Sequence, residues 1–210
     1  MSRPRVVVVD SGVDPGHPGL RGRVDVVAGP CFGRDGAIAS GHGGEDLLGH
    51  GSAVAATVAA FVEQLEVVSL RVFDREPVCD FRAVVHALRH ALTLDATCVN
   101  LSLGTTSLRY RDELVEVASE ARARGVRVVA PASYGGLPCD PGCLDGFEGV
   151  VADTNVPPMV PELRKHVDRW VWFASPLPPR DADGGRKLRA RGDSLAVAAV
   201  SGLLARTATS

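Results

Sequence analysis

Aromatic residues are scarce, with Phe, Trp and Tyr together making up 5% of the 210 residues. A platform of rings for stacking bases or binding sugars is therefore not expected, and the core must be built from Val, Ala and Leu. Neither sign of charge is in excess, because 23 Lys and Arg face 25 Asp and Glu for a net charge of −2. That balance argues against a phosphate-tracking chain and against a polybasic anchor, so neither nucleic acid nor membrane is expected as a partner. Long apolar runs are missing too, and nothing approaches the ~20 residues needed to span a bilayer. The opening Met1-Ser-Arg-Pro-Arg runs straight into Val6-Val7-Val8-Val9, and Asp10 ends that run before it reaches signal-peptide length. A cytoplasmic chain without a signal peptide is the expectation. The five cysteines (31, 79, 98, 139 and 143) are an odd set in a chain too long to depend on disulfides, so reduced thiols are expected. Cys139 and Cys143 could close a small loop or offer two metal ligands. A second ligand pair at suitable spacing is missing, and no metal or other cofactor is expected.

What is present is ordinary globular composition, 45% apolar and 23% charged, in a length that suits a single domain over residues 1–210. Arg5–Val9 is a β-branched run fit for a strand buried on both faces. Similar runs recur at Val67–Val72, Thr97–Leu101, Val126–Ala130, Gly149–Ala152 and Trp170–Ala174. Between them lie helical patterns. Ser52–Val62 is rich in Ala and Val, Asp80–Leu94 spaces its apolar residues helically, and Asp112–Arg124 is amphipathic with Gly125 placed as C-cap. A last small-residue helix is expected from Ser194 to about Ala205. The stretches Ser11–Gly22, Ser133–Gly146 and Pro176–Gly185 read as loop. Strands alternating with helices of this length predict an α/β fold in three layers, a mostly parallel sheet with helices on both faces.

In such sheets, reactive groups gather at the carboxyl ends of strands and the amino ends of the following helices. Asp10 closes the first strand in Val-Val-Asp-Ser-Gly-Val-Asp, His50 opens a helix in Gly-His-Gly-Ser-Ala, and Ser194 opens the last helix in Gly-Asp-Ser-Leu-Ala. Each alone has an ordinary explanation: a strand-end cap, a solvated loop imidazole, a helix N-cap. Together they have a chemical one. A serine hydroxyl becomes a nucleophile when an imidazole takes its proton, and the imidazole needs a carboxylate to fix its tautomer and stabilise its cation. A helix N-terminus also supplies backbone N–H groups where oxyanion charge develops.

With these motifs the chain resembles the subtilisin-like serine proteases, or subtilases, in which the triad runs Asp, His, Ser. The resemblance rests on Val9-Asp10-Ser11-Gly12-Val13-Asp14 with His17-Pro18, on His50-Gly51-Ser52, and on Gly192-Asp193-Ser194-Leu195-Ala196 with Ser201-Gly202. It extends to Val99-Asn100-Leu101-Ser102-Leu103-Gly104, which is similar to the family's substrate-binding segment. It implies a single subtilisin-like peptidase domain and a serine endopeptidase with Asp10, His50 and Ser194 as catalytic residues. It further implies a peptide or protein substrate lying along Ser102, Leu103 and Gly104.

The pattern also departs from the family. Tyr134 falls where an Asn normally donates to the oxyanion, and Asp193 replaces the usual Thr before the nucleophile. Ala198 stands where Pro is usual, and no prosegment and no acidic calcium loop between Val62 and Val67 are recognisable. Asp74-Arg-Glu-Pro-Val78 replaces the Gly-rich edge that flanks the bound peptide. Two readings follow. One is an endopeptidase for limited intracellular processing of a peptide precursor, with room for a partner protein that completes the cleft. The other is a pseudoprotease that binds a peptide or partner because Tyr134 and Asp193 have altered the oxyanion hole.

Overall fold

A computed structural model describes residues 3–42, 45–166, 168–179 and 192–208. The strands are β1 (Arg5–Asp10), β2 (Val24–Phe32), β3 (Ile38–His42), β4 (Leu65–Arg71), β5 (Cys98–Leu101), β6 (Arg127–Pro131), β7 (Ser133–Tyr134), β8 (Leu137–Pro138), β9 (Glu148–Ala152), β10 (Glu162–His166) and β11 (Arg169–Ala174). The helices are α1 (His50–Ala59), α2 (Phe81–Ala91), α3 (Arg111–Arg124) and α4 (Asp193–Thr207). Among the described residues the main sheet has nine strands in the order β10-β11-β9-β6-β5-β1-β4-β2-β3. Its neighbours are parallel except at the two edges, where β2 with β3 and β10 with β11 are antiparallel. The three-layer, mostly parallel architecture expected from the sequence is the one observed.

The valine run explains the layering. Successive side chains of a strand alternate between faces, so a strand buried on both sides needs apolar residues at every position. Val7 and Val9 join the core under α2 and α3, whereas Val6 and Val8 join the core under α1 and α4. All four are fully buried. Burying one such side chain stabilises the fold by about 1.5–3 kcal/mol.

The structure also differs from the sequence reading. Strands β2, β3 and β10 lie at or beside the sheet edges, and β2 and β10 are half exposed there, where the apolar signal is weak. Within Ser133–Gly146, expected to be loop, β7 and β8 form a minimal hairpin, and Thr105 bridges to Asp140. Helix α1 opens at His50, as expected, and ends at Ala59, three residues short of the expected Val62. The part of the Pro176–Gly185 loop beyond residue 179 lies outside the described residues.

Chain order places the site. β1 pairs with β4 on one side and β5 on the other, so successive strands leave β1 in opposite directions and open a crevice at its carboxyl end. Asp10 ends β1, and Ser102 follows β5 immediately beside it.

Candidate active site

Asp10 is fully buried at the end of β1. Its Oδ1 accepts the Ser11 backbone N–H at 2.7 Å and lies 2.7 Å from His50 Nδ1. Oδ2 is also buried, with no hydrogen-bond partner among the described residues. A carboxylate only accepts, so Nδ1 carries a proton and the neutral ring keeps its lone pair on Nε2. His50 is the first residue of α1, and its side chain is 35% exposed, enough to face a substrate. Burial opposes the charged imidazolium, but the hydrogen bond and charge of Asp10, joined by the charge of Asp46, outweigh it. The His50 pKa is raised above the usual histidine value.

Gly51 lets the ring come this close. A Cβ there would lie 2.1 Å from the Gly12 carbonyl oxygen and 3.2 Å from Asp10 Cβ. Any side chain would push the start of α1 away from β1, so the Gly after the His sets the contact between them.

The sequence reading missed Asp46. Its Oδ1 accepts the Ser11 hydroxyl at 2.7 Å and the backbone N–H groups of Leu48 and Gly49 at 3.1 and 2.8 Å. Its Oδ2 accepts the Ser52 N–H at 2.8 Å and hydroxyl at 2.6 Å. The Ser11 hydroxyl in turn accepts the Gly51 N–H at 3.0 Å, and the Ser52 hydroxyl accepts the Asp14 N–H at 2.9 Å. One carboxylate thus ties the residue after Asp10 to the residues after His50. The signal for it was Asp46-Leu-Leu-Gly-His50, an Asp able to bind N–H groups two and three residues on.

Ser194 is the second residue of α4, whose N-cap is Gly192. Its side chain does not cap the helix. The hydroxyl donates to the Ser102 carbonyl oxygen at 3.1 Å, across to the segment that follows β5. Because β5 pairs with β1, with Leu101 opposite Val9, this bond brings Ser194 to the same end of the sheet as Asp10 and His50. Its backbone N–H belongs to the first turn, whose donors have no partner within the helix.

The segment Ser102–Gly104 is held from below. Asn100 donates through Nδ2 to the Ser102 hydroxyl at 2.7 Å and accepts the Ser201 hydroxyl at 2.9 Å, and both Asn100 and Ser201 are fully buried. Leu103 packs into the core under α2 and α3. Tyr134 is 68% exposed on the β7–β8 hairpin, whose turn uses Gly135 and Gly136 at φ 58° and 81°. Asp193 is partly buried, and desolvation raises its carboxyl pKa above the ordinary aspartate value. Among the described residues, no cluster of three or more His, Cys, Asp and Glu side chains could hold a metal ion, and no helix is long and apolar enough to cross a membrane.

Residues 2–135 match the sequence model of the subtilase family, a span that includes Asp10, Asp46, His50 and Ser102–Gly104. The chain belongs to the subtilase family. Family and fold together make it a serine-protease hydrolase. Among solved structures it is similar to a cold adapted subtilisin-like serine proteinase, at TM-score 0.70 and 20% identity over 98% of this chain and 75% of that one. The patellamide maturation protease PatA matches at TM-score 0.66 and 23% identity, over 96% of this chain and 76% of that one. The prenylagaramide maturation protease PagA matches at TM-score 0.65 and 20% identity, over 95% and 73%. Among curated protein sequences, none matches this chain. Ser194 lies beyond the residues matched to the family, so its part in the site rests on geometry.

Proposed function

We propose that this subtilase is a cytoplasmic endopeptidase that cuts a peptide precursor at a small number of positions, with Asp10, His50 and Ser194 as its catalytic residues. The observation that carries the proposal is the buried Asp10 carboxylate held 2.7 Å from His50 Nδ1, which leaves Nε2 to act as base beside a serine at a helix N-terminus. The likeness to two maturation proteases supports the processing role.

Catalysis starts when the Ser194 O–H turns from the Ser102 carbonyl oxygen toward His50 Nε2. Nε2 takes the proton as Oγ bonds to the scissile carbonyl carbon, and Asp10 stabilises the imidazolium. The carbonyl oxygen becomes an oxyanion and accepts the Ser194 backbone N–H, with the loop carrying Tyr134 forming the opposite side. Collapse of the tetrahedral adduct breaks the C–N bond, and His50 returns its proton to the leaving amine. Water, deprotonated by His50, then attacks the acyl carbon, and the C–Oγ bond breaks as His50 gives that proton back to Ser194. The exposed phenol of Tyr134 and the Asp193 carboxyl favour a second reading, a cleft that binds peptide but turns it over poorly until a partner protein reshapes it.

Incubation with long unstructured peptides, followed by mass spectrometry of the fragments, separates the two. The processing reading expects fragments from few sites, absent with Ser194→Ala. Binding of the same peptides without fragments would favour the second.

A further inference from the structure

We infer that Ser201 is a positioning residue for the nucleophile, holding Ser194 against Ser102 through Asn100. The inference rests on the peptidase reading and adds a residue to the machinery of that same site. It starts from an exception in the sequence. A strand covered on both faces needs apolar residues at every position, yet β5 is Cys-Val-Asn-Leu. Val99 and Leu101 enter the core under α2 and α3, and Cys98 enters the core under α1 and α4. Alternation puts Asn100 on the face of Cys98, as a fully buried amide turned toward α4.

The helix that meets it carries the matching exception. From Leu195 to Val200, α4 is Leu, Ala and Val alone, all buried, and the next residue is the fully buried Ser201. Apolar burial has no preferred direction, so these side chains hold the helix on the sheet without fixing where along β5 it sits. Hydrogen bonds do fix it. The Ser201 hydroxyl donates to Asn100 Oδ1 at 2.9 Å, and the Ser201 carbonyl accepts the Cys98 thiol at 3.6 Å. Asn100 Nδ2 passes the constraint on to the Ser102 hydroxyl at 2.7 Å. Stability alone does not call for this pair, because an apolar pair of the same shape would serve as well.

Ser194 and Ser201 lie two turns apart on α4, about 10 Å along its axis and about 20° from the same direction. One stripe of the helix therefore meets one face of β5 and its extension at two points. The Ser194 hydroxyl bonds the Ser102 carbonyl oxygen at 3.1 Å, while Ser201 reaches the Ser102 hydroxyl through Asn100. The contacts close a four-cornered frame of Ser194, Ser102, Asn100 and Ser201, whose last side is the rigid helix. Without the Ser201 hydroxyl, apolar packing and the long thiol contact are left to hold α4 in register. A nucleophile misplaced by about 1 Å loses about 10²-fold in rate, so small slippage of α4 is enough to matter.

The test is labelling of the full chain by a small fluorophosphonate, read by intact mass over a range of probe concentrations, which separates the limiting rate from the half-saturating concentration. Ser201→Ala is expected to lower the limiting rate at least about tenfold and to leave the half-saturating concentration in place. Asn100→Leu combined with Ser201→Ala replaces the whole pair by apolar groups. Its thermal unfolding is expected to stay near that of the native chain while its labelling stays slow. Val200→Ala weakens the same helix without touching the frame, and is expected to label at the native rate. Native-rate labelling by the folded double variant would overturn the inference and leave the peptidase reading intact. So would an equal slowing in Val200→Ala. Failure of the native chain to label at Ser194 would overturn the peptidase reading, and this inference with it.

Discussion

At His50, burial and charge pull in opposite directions, and the outcome sets the pH at which the site can work. Attack requires the neutral imidazole, while Asp10 and Asp46 favour the cation and raise its pKa. Activity should therefore fall as pH drops through that raised value, with the acidic midpoint of kcat/KM lying above ~6.5. Asp46→Asn removes one of the charges, so its midpoint should move to lower pH. A loosening of the loop alone would lower the plateau and leave the midpoint in place. Asp10→Asn should cut kcat by about 10⁴-fold with little change in KM, because an amide at that position favours the wrong imidazole tautomer. Tyr134 supplies a prediction of opposite sign. If the phenol leaves the oxyanion short of a donor, Tyr134→Asn should raise peptide turnover by up to about 10²-fold, and a folded variant with no gain would reject that explanation of weak catalysis.

The elements differ in how plainly the sequence announced them. Central strands such as β1 and β5 carry a continuous apolar signal because helices cover both faces, and α2 and α3 show helical spacing with clear ends. The edge was harder to read. β2 contains Gly29 and Pro30 and is half-buried or exposed up to Pro30, with only Cys31 and Phe32 buried, while β10 is Glu-Leu-Arg-Lys-His with one apolar residue. Both pair through backbone groups, which leave little mark on composition. His50 and Gly51 are poor helix formers, and their contact with β1 supports them at the start of α1. That contact can be tested. Gly51→Ala would set a methyl group 2.1 Å from the Gly12 carbonyl oxygen, so it should lower stability by about 1–3 kcal/mol in thermal or urea unfolding and reduce activity as His50 is displaced.

Across the whole molecule, the sheet order brings residues far apart in sequence to one edge. β1 and β5 are neighbours, so Asp10 and Ser102 lie side by side, and α4 returns across the same end to set Ser194 against Ser102. The residue types proposed for the triad, their order and the segment Ser102–Gly104 could be singled out in the sequence, because each sits in a motif with a local signature. Asp46 escaped notice because its importance lies in joining two separate loops, a relation visible only in three dimensions. Whether the assembled edge is an activated nucleophile is decided most directly by fluorophosphonate labelling of the native chain, Ser194→Ala and His50→Ala, read by intact mass. A single adduct on the native chain, lost in both variants, is the expected result. A folded native chain that takes up no adduct would contradict the account.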